Sequence, residues 1–152
     1  MPPPDPKTLL AGAAAARSRP LESAAAIAHA LEVAPSDPDV RLAAYRFYFY
    51  THDFAAALVQ AEVVLAHAAR QLNIASDWRS VRAGDADFTA HAFVPGLYLQ
   101  ALVAQGYCAA RIGVLALAEE SLAKAAELDP SDRFGGAWLL DKVLRGPDPE
   151  DD

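Results

Sequence analysis

The sequence predicts an all-α fold built of stacked helical hairpins, and three observations predict it. Of the 152 residues, 35 are alanine, which has the highest intrinsic helix propensity and is small enough to let helices approach closely. Val, Ile and Thr are scattered, and no stretch from Met1 to Asp152 alternates apolar with polar residues as a half-buried strand does. Apolar residues recur instead at spacings of three and four, and similar stretches return at a fixed distance along the chain.

Lys7 to Arg17 reads as a short helix stopped by Ser18, Arg19 and Pro20, and Leu21 to Ala34 as its return arm, ending before Pro35. Asp37 can cap the next helix and Pro38 suits a first helical position, so a helix is expected from about Asp39 to Thr51, with His52-Asp53 as the turn. The helix from Phe54 to about Asn73 carries Leu58, Ala61, Leu65, Ala68 and Leu72 on one face. From Ile74 the periodicity fades, and the segment to about residue 96 reads as an insertion with one helical turn. Leu97 to Ile112 and Leu115 to Leu128 form a further hairpin around Gly113, closed by Asp129-Pro130-Ser131-Asp132. Arg133 to Leu144 reads as a capping helix, with Trp138, Leu139 and Val143 on its inward face. The expected organisation is one domain over 5–145, with hairpins at about 5–37, 38–73 and 97–130, an insertion at 74–96 and a cap at 133–145. The proline-rich residues 1–4 and the acidic residues 146–152 are expected to be flexible ends.

The second arms align as Ser23-x3-Ile27-x2-Ala30-x4-Pro35, then Ala57-x3-Ala61-x2-Val64-x4-Ala69, then Ala118-x3-Leu122-x2-Ala125-x4-Pro130. Ser23 and Ala57 are 34 residues apart, and Ala57 and Ala118 are 61 apart, a period of 34 with one insertion. On these residues the chain resembles the tetratricopeptide repeat family, whose unit is a 34-residue helix-turn-helix. Leu31-Glu32-Val33-Ala34-Pro35 and Leu128-Asp129-Pro130 look like its repeat boundary. Gly106 matches its first-arm glycine, Tyr48 its tyrosine, and Asp53-Phe54 with Ala57 its turn and following alanine. The resemblance covers roughly residues 5–70 and 97–144. Arg41 stands where the family has tryptophan, Tyr45 where it has glycine, Ala69 where it has proline and Ala109 where it has tyrosine. Without a proline at Ala69 the return helix can run on to about Asn73. The resemblance implies a short right-handed solenoid of about three such hairpins plus the cap, with a concave side that takes a partner.

Composition narrows the function classes. A net charge of −7 and no clustered Lys or Arg disfavour nucleic acid. The apolar stretches fall far short of the ~20 residues that cross a bilayer, and Met-Pro-Pro-Pro-Asp-Pro-Lys lacks the regions of a secretory signal, so a cytoplasmic location is expected. The single cysteine, Cys108, reads as a small core residue. His29, His52, His67 and His91 lack metal-ligand spacing, and no phosphate-cradling glycine loop occurs. No metal, cofactor or catalytic residue is therefore expected.

The expected function is a non-catalytic scaffold that binds another protein or a peptide. A narrower alternative is a dedicated assembly or secretion chaperone for one client, and a remote one is a hydrolase using His91 with Asp85 and Asp87. The resemblance places the groove on Leu42, Arg46, Phe49 and Tyr50 of the second unit and on Val103, Tyr107 and Arg111 of the third. The run Tyr45-Arg46-Phe47-Tyr48-Phe49-Tyr50 supports this independently. A helix cannot bury six such residues on one face, so Phe47 and Tyr48 pack inward with Val40 and Ala44 only if Phe49 and Tyr50 point elsewhere. The alternatives for that patch are cover by the insertion and burial in a homodimer. In the insertion, Trp78, with Arg79 beside it, either anchors the segment to the body or contacts the partner. The positions matching the family's carboxylate clamp, Thr8, Leu9 and Gly12, cannot pair with a carboxylate, so acidic C-terminal peptides are not expected to bind.

Overall fold

The computed structural model describes residues 20–146, and among them it has six α-helices and no strand. The expected helix Lys7 to Arg17, with Thr8, Leu9 and Gly12, and the two chain ends beyond residues 20 and 146 lie outside the described residues. Cα proximity divides the chain into two compact units, one up to Gln60 and one from Ala61 onward.

The first unit contains α1 (Pro20–Val33), α2 (Pro38–Tyr50) and the start of α3 (Phe54–Leu72). Asp37 caps α2, its Oδ1 accepting from the amides of Asp39 at 2.9 Å and Val40 at 3.4 Å, with Pro38 at the first helical position. Ile27 of α1 and Ala44 of α2 are buried together, and Leu31, Phe47 and Tyr48 pack around them. Arg41 does a different job from a packed tryptophan. Its Nε donates to the Pro35 carbonyl at 2.6 Å and its NH1 to Gln60 Oε1 at 2.9 Å, which ties the preceding turn, α2 and α3 together. His52 takes the left-handed conformation, φ +61°, and the amide of Asp53 returns to the Tyr48 carbonyl at 2.8 Å.

The second unit holds the rest of α3, a segment with two short 3-10 turns at Trp78–Ser80 and Ala83–Asp85, and helices α4 (Phe93–Arg111), α5 (Leu115–Leu128) and α6 (Gly136–Arg145). Asn73, φ +56°, ends α3, with the amide of Ile74 bonded to the Ala69 carbonyl. Two elements before the last hairpin differ from the sequence reading. The insertion has two turns rather than one, and α4 begins at Phe93 rather than Leu97. Pro95 and Gly96 look like breakers, but a proline in the first turn removes an amide that has no helical partner there.

The hairpin of α4 and α5 turns at Gly113, φ +83°, and its arms touch through a glycine. A β-carbon on Gly106 would lie 2.6 Å from Leu122 Cγ, and the buried Gln105 Nε2 donates to Ser121 Oγ at 2.8 Å beside it. Helix α6 starts at Gly136 rather than Arg133. The left-handed Asp132, φ +55°, and Gly135, φ +79°, turn the chain, and the Asp132 carboxylate accepts from the amides of Ala137 and Trp138. Gly136 is buried against Ala125 and Val103. Leu139 and Val143 are half-buried, but Trp138 points away from the body and is 60% exposed, contrary to its expected place on the inward face. Helical period puts it about a hundred degrees from Leu139 and nearer to the exposed Asp141 and Arg145, so it falls on the outward side.

Candidate functional site

The first-arm residues fall on two helices in different units. On α2, Leu42, Arg46, Phe49 and Tyr50 follow one another at steps that keep them on a single face. Leu42 and Phe49 are half-buried, Arg46 is exposed, and Tyr50 is 77% exposed. Phe49 is the hub of an aromatic cluster, with its ring centroid 5.8 Å from Tyr45, 5.7 Å from Tyr50 and 5.9 Å from Phe54. His52 stacks on Phe54 at 5.6 Å with nearly parallel rings. Neither Phe54 nor His52 was singled out by sequence, where the pair reads only as a turn and a helix start. No sequence signal marks them, because the left-handed backbone at residue 52 is what sets its ring against the start of α3. Val40 and Ala44 on the opposite side are fully buried, which is what frees Arg46 and Tyr50 to face outward.

On α4, Val103, Tyr107 and Arg111 also share a face. Val103 is half-buried against the core and close to Gly136 of α6, so it is partly covered. Tyr107 is half-buried and its hydroxyl accepts from Arg111 NH1 at 2.9 Å, the guanidinium lying 5.8 Å from the ring centroid. Each first arm therefore presents an arginine four residues from a tyrosine, in opposite chain order.

Trp78 is buried in the core of the second unit with Val64, Leu65, Val81, Phe88 and Tyr98. Arg79 lies over its ring at 4.3 Å and bonds Glu120 of α5 at 2.8 Å. Two further cations hold the same segment from below. The buried Lys124 Nζ donates to the Val81 carbonyl at 2.9 Å and pairs with Glu127 at 3.0 Å, and Arg133 NH2 donates to the Phe88 carbonyl at 2.6 Å. Sequence reading passed over Lys124, since a lysine in an amphipathic helix ordinarily faces water. Burial removes Tyr98 from water as well. Its hydroxyl has no hydrogen-bond partner, and burial, aided by the carboxylates of Asp77 and Asp85, pushes its pKa from 10.0 to about 12.

The residues considered for catalysis are exposed turn residues. Asp85 Oδ2 accepts from the Arg82 amide at 2.8 Å, Asp87 Oδ1 accepts from the Thr89 hydroxyl at 2.9 Å, and His91 is exposed. Cys108 is buried in α4. Among the described residues no group of three or more His, Cys, Asp or Glu is arranged to hold a metal ion. No helix among them is long and apolar enough to cross a membrane.

No protein-family model and no solved structure matches the chain. The chain is similar to an uncharacterized 19.8 kDa protein in the nifW 5'region of Azotobacter chroococcum mcd 1, with 34% identity over 111 residues. That match takes in 72% of this chain and 62% of the relative, so the chain spans less than two thirds of the relative's length.

Proposed function

We propose that this chain is a non-catalytic, cytoplasmic protein-binding scaffold of tetratricopeptide type, its hairpins forming a short right-handed solenoid of about three units closed by α6. Two local features support the repeat reading. The arms of α4 and α5 meet at Gly106, where only a glycine fits against Leu122, and the turns at His52 and Gly113 share one left-handed geometry with the same return hydrogen bond. The observation that carries the binding reading is Tyr50, 77% exposed on the α2 face that also presents Arg46. Tyrosine and arginine are among the residues most enriched at binding hot spots, and an exposed aromatic beside a cation offers both apolar area and directed hydrogen bonds.

A dedicated chaperone for one client is the second reading, and the relative named by its place in the nifW 5'region says where to look for that client. The products of genes neighbouring this chain's own are the first clients to test. The experiment is a pull-down from the native cell with the full chain as bait, followed by calorimetry on whatever is captured. Tyr50→Ala and Tyr107→Ala should each weaken binding by about 1–3 kcal/mol with helicity by circular dichroism unchanged. One stoichiometric partner favours the chaperone, and several weaker ones favour a general adaptor. Normal binding by both variants removes the first-arm faces as the site.

A further inference from the structure

Helix α6 carries a second exposed face, separate from the first-arm residues. Its inward side is Gly136, Leu139 and Val143, and its outward side is Ala137, Trp138, Asp141, Leu144 and Arg145. Trp138 is 60% exposed and Leu144 63%. A helix that only closes a stack needs a polar outer side, whereas this one presents a tryptophan and a leucine with charges between them.

We propose that this face pairs with the same face of a second copy of the chain, the two α6 helices running antiparallel about a two-fold axis that crosses between Asp141 and Lys142. The argument is the order of the charges. Trp138 stands as far before that midpoint as Arg145 stands after it, so the antiparallel copy sets each Trp138 ring against an arginine guanidinium. Asp141 and Lys142 flank the midpoint, so each aspartate meets the lysine of the other copy. On the remaining edge Leu144 lies two residues out of register with Ala137 of the other copy, close enough for its longer side chain to cover it. Every contact occurs twice, as a two-fold interface requires, and none sets like charges opposite one another except across the axis itself.

The same groups already attract one another within one chain. Arg145 Nε lies 3.1 Å from Asp141, and Lys142 Nζ lies 5.1 Å from the centroid of the Trp138 ring. Pairing exchanges those solvent-exposed contacts for equivalent ones across an interface that also removes Trp138 and Leu144 from water. Two facing helices of 10 residues bury roughly 600–800 Å², below the ~1,000 Å² that a stable specific interface needs, so the association is weak and transient, with Kd on the order of 100 µM.

Sedimentation velocity on the full chain from about 5 µM to about 1 mM tests this. The expected result is concentration-dependent dimerisation that Trp138→Glu weakens at least about tenfold, with circular dichroism unchanged. Asp141→Lys and Lys142→Asp should each self-associate about tenfold more weakly, because each then sets like charges together. Mixed in equal amounts they should recover association, since each then supplies what the other lacks. Tyr50→Ala should leave the dimer untouched, which separates this inference from the proposed binding faces. A chain that stays monomeric throughout, or two charge variants that associate as the unmodified chain does, overturns the pairing. A monomer whose exposed tryptophan is nevertheless shielded from acrylamide overturns it too, and assigns the face to residues of its own chain.

Discussion

Gly106 and Leu122 stand so close across the hairpin of α4 and α5 that a β-carbon at position 106 would lie 2.6 Å from Leu122 Cγ and 2.7 Å from Cδ2. In an exposed helix, Gly→Ala gains up to ~1 kcal/mol. Here the gain is overridden, because Leu122 is fully buried and Ser121 closes the other side at 3.3 Å. Gly106→Ala should destabilise the chain by about 1–3 kcal/mol net, read from urea unfolding. A control at Gly84, where an added β-carbon meets nothing within 4 Å, should lose far less.

Tyr98 gives a prediction of opposite sign. An unmade hydrogen bond at a buried hydroxyl costs about 1–3 kcal/mol, so Tyr98→Phe, which keeps the ring packed on Phe88, should leave stability unchanged or raise it by about 1 kcal/mol. The alkaline limb supplies an independent readout. With a folded pKa of about 12 against 10.0 unfolded, the folded chain holds this proton when the unfolded chain has released it. The corresponding stability is complete below pH 10 and is lost as pH rises from 10 to about 12. The Phe variant should therefore lose stability less steeply across that window, and identical slopes for both proteins would count against a buried, unpartnered hydroxyl.

Among the groups that hold the segment between α3 and α4 are the Trp78 ring and the Lys124 amine. Trp78→Ala should cost about 3–5 kcal/mol, the usual range for emptying an aromatic site in a core, seen as a lower Tm. Lys124→Met keeps the apolar stem but leaves the Val81 carbonyl without its donor and Glu127 with only the more distant Arg82, at 3.5 Å. It should cost about 1–3 kcal/mol and raise amide hydrogen exchange selectively over residues 78–90. Unchanged exchange there would show that the amine does not fasten the segment.

Two equivalent turns are imperfect in complementary ways. His52 holds φ +61° with a β-carbon, where the other hairpin has Gly113 at φ +83°. Asp53 caps α3 through the Ala56 amide at 3.2 Å, where α5 has Val114 at its N-cap with no side-chain bond. Val114→Asp should stabilise the chain by about 1 kcal/mol, and His52→Gly by less, since relief of the left-handed backbone is offset by loss of the ring stacked on Phe54; both are read as separate shifts in urea midpoint.

The face of α2 shows how far sequence carries toward a site. The packing of Phe47 and Tyr48 beside Ile27 and the exposure of Tyr50 follow from helical period alone, since adjacent residues on a helix point about 100° apart. Period does not say that His52 comes back to stack on Phe54, because that depends on one backbone dihedral. Nor does it distinguish Val103 from Tyr107. They share a face of α4, and what separates them is the approach of Gly136, from a helix more than thirty residues on.

By itself the sequence determined that the described residues are helical and where the arms of the hairpins turn, because propensity, capping and a 3.6-residue period are local properties. The start of α4 at Phe93 rather than Leu97 was not legible in the period, and Pro95 fits there because a proline in the first turn removes no helical hydrogen bond. Tertiary structure alone decided that Trp78 is core, that Lys124 is buried and bonded to a backbone carbonyl, and that the Tyr98 hydroxyl is left without a partner. Each of those outcomes depends on which distant segment arrives over a side chain. A sequence period fixes the direction in which a residue points, and only packing fixes what it meets there.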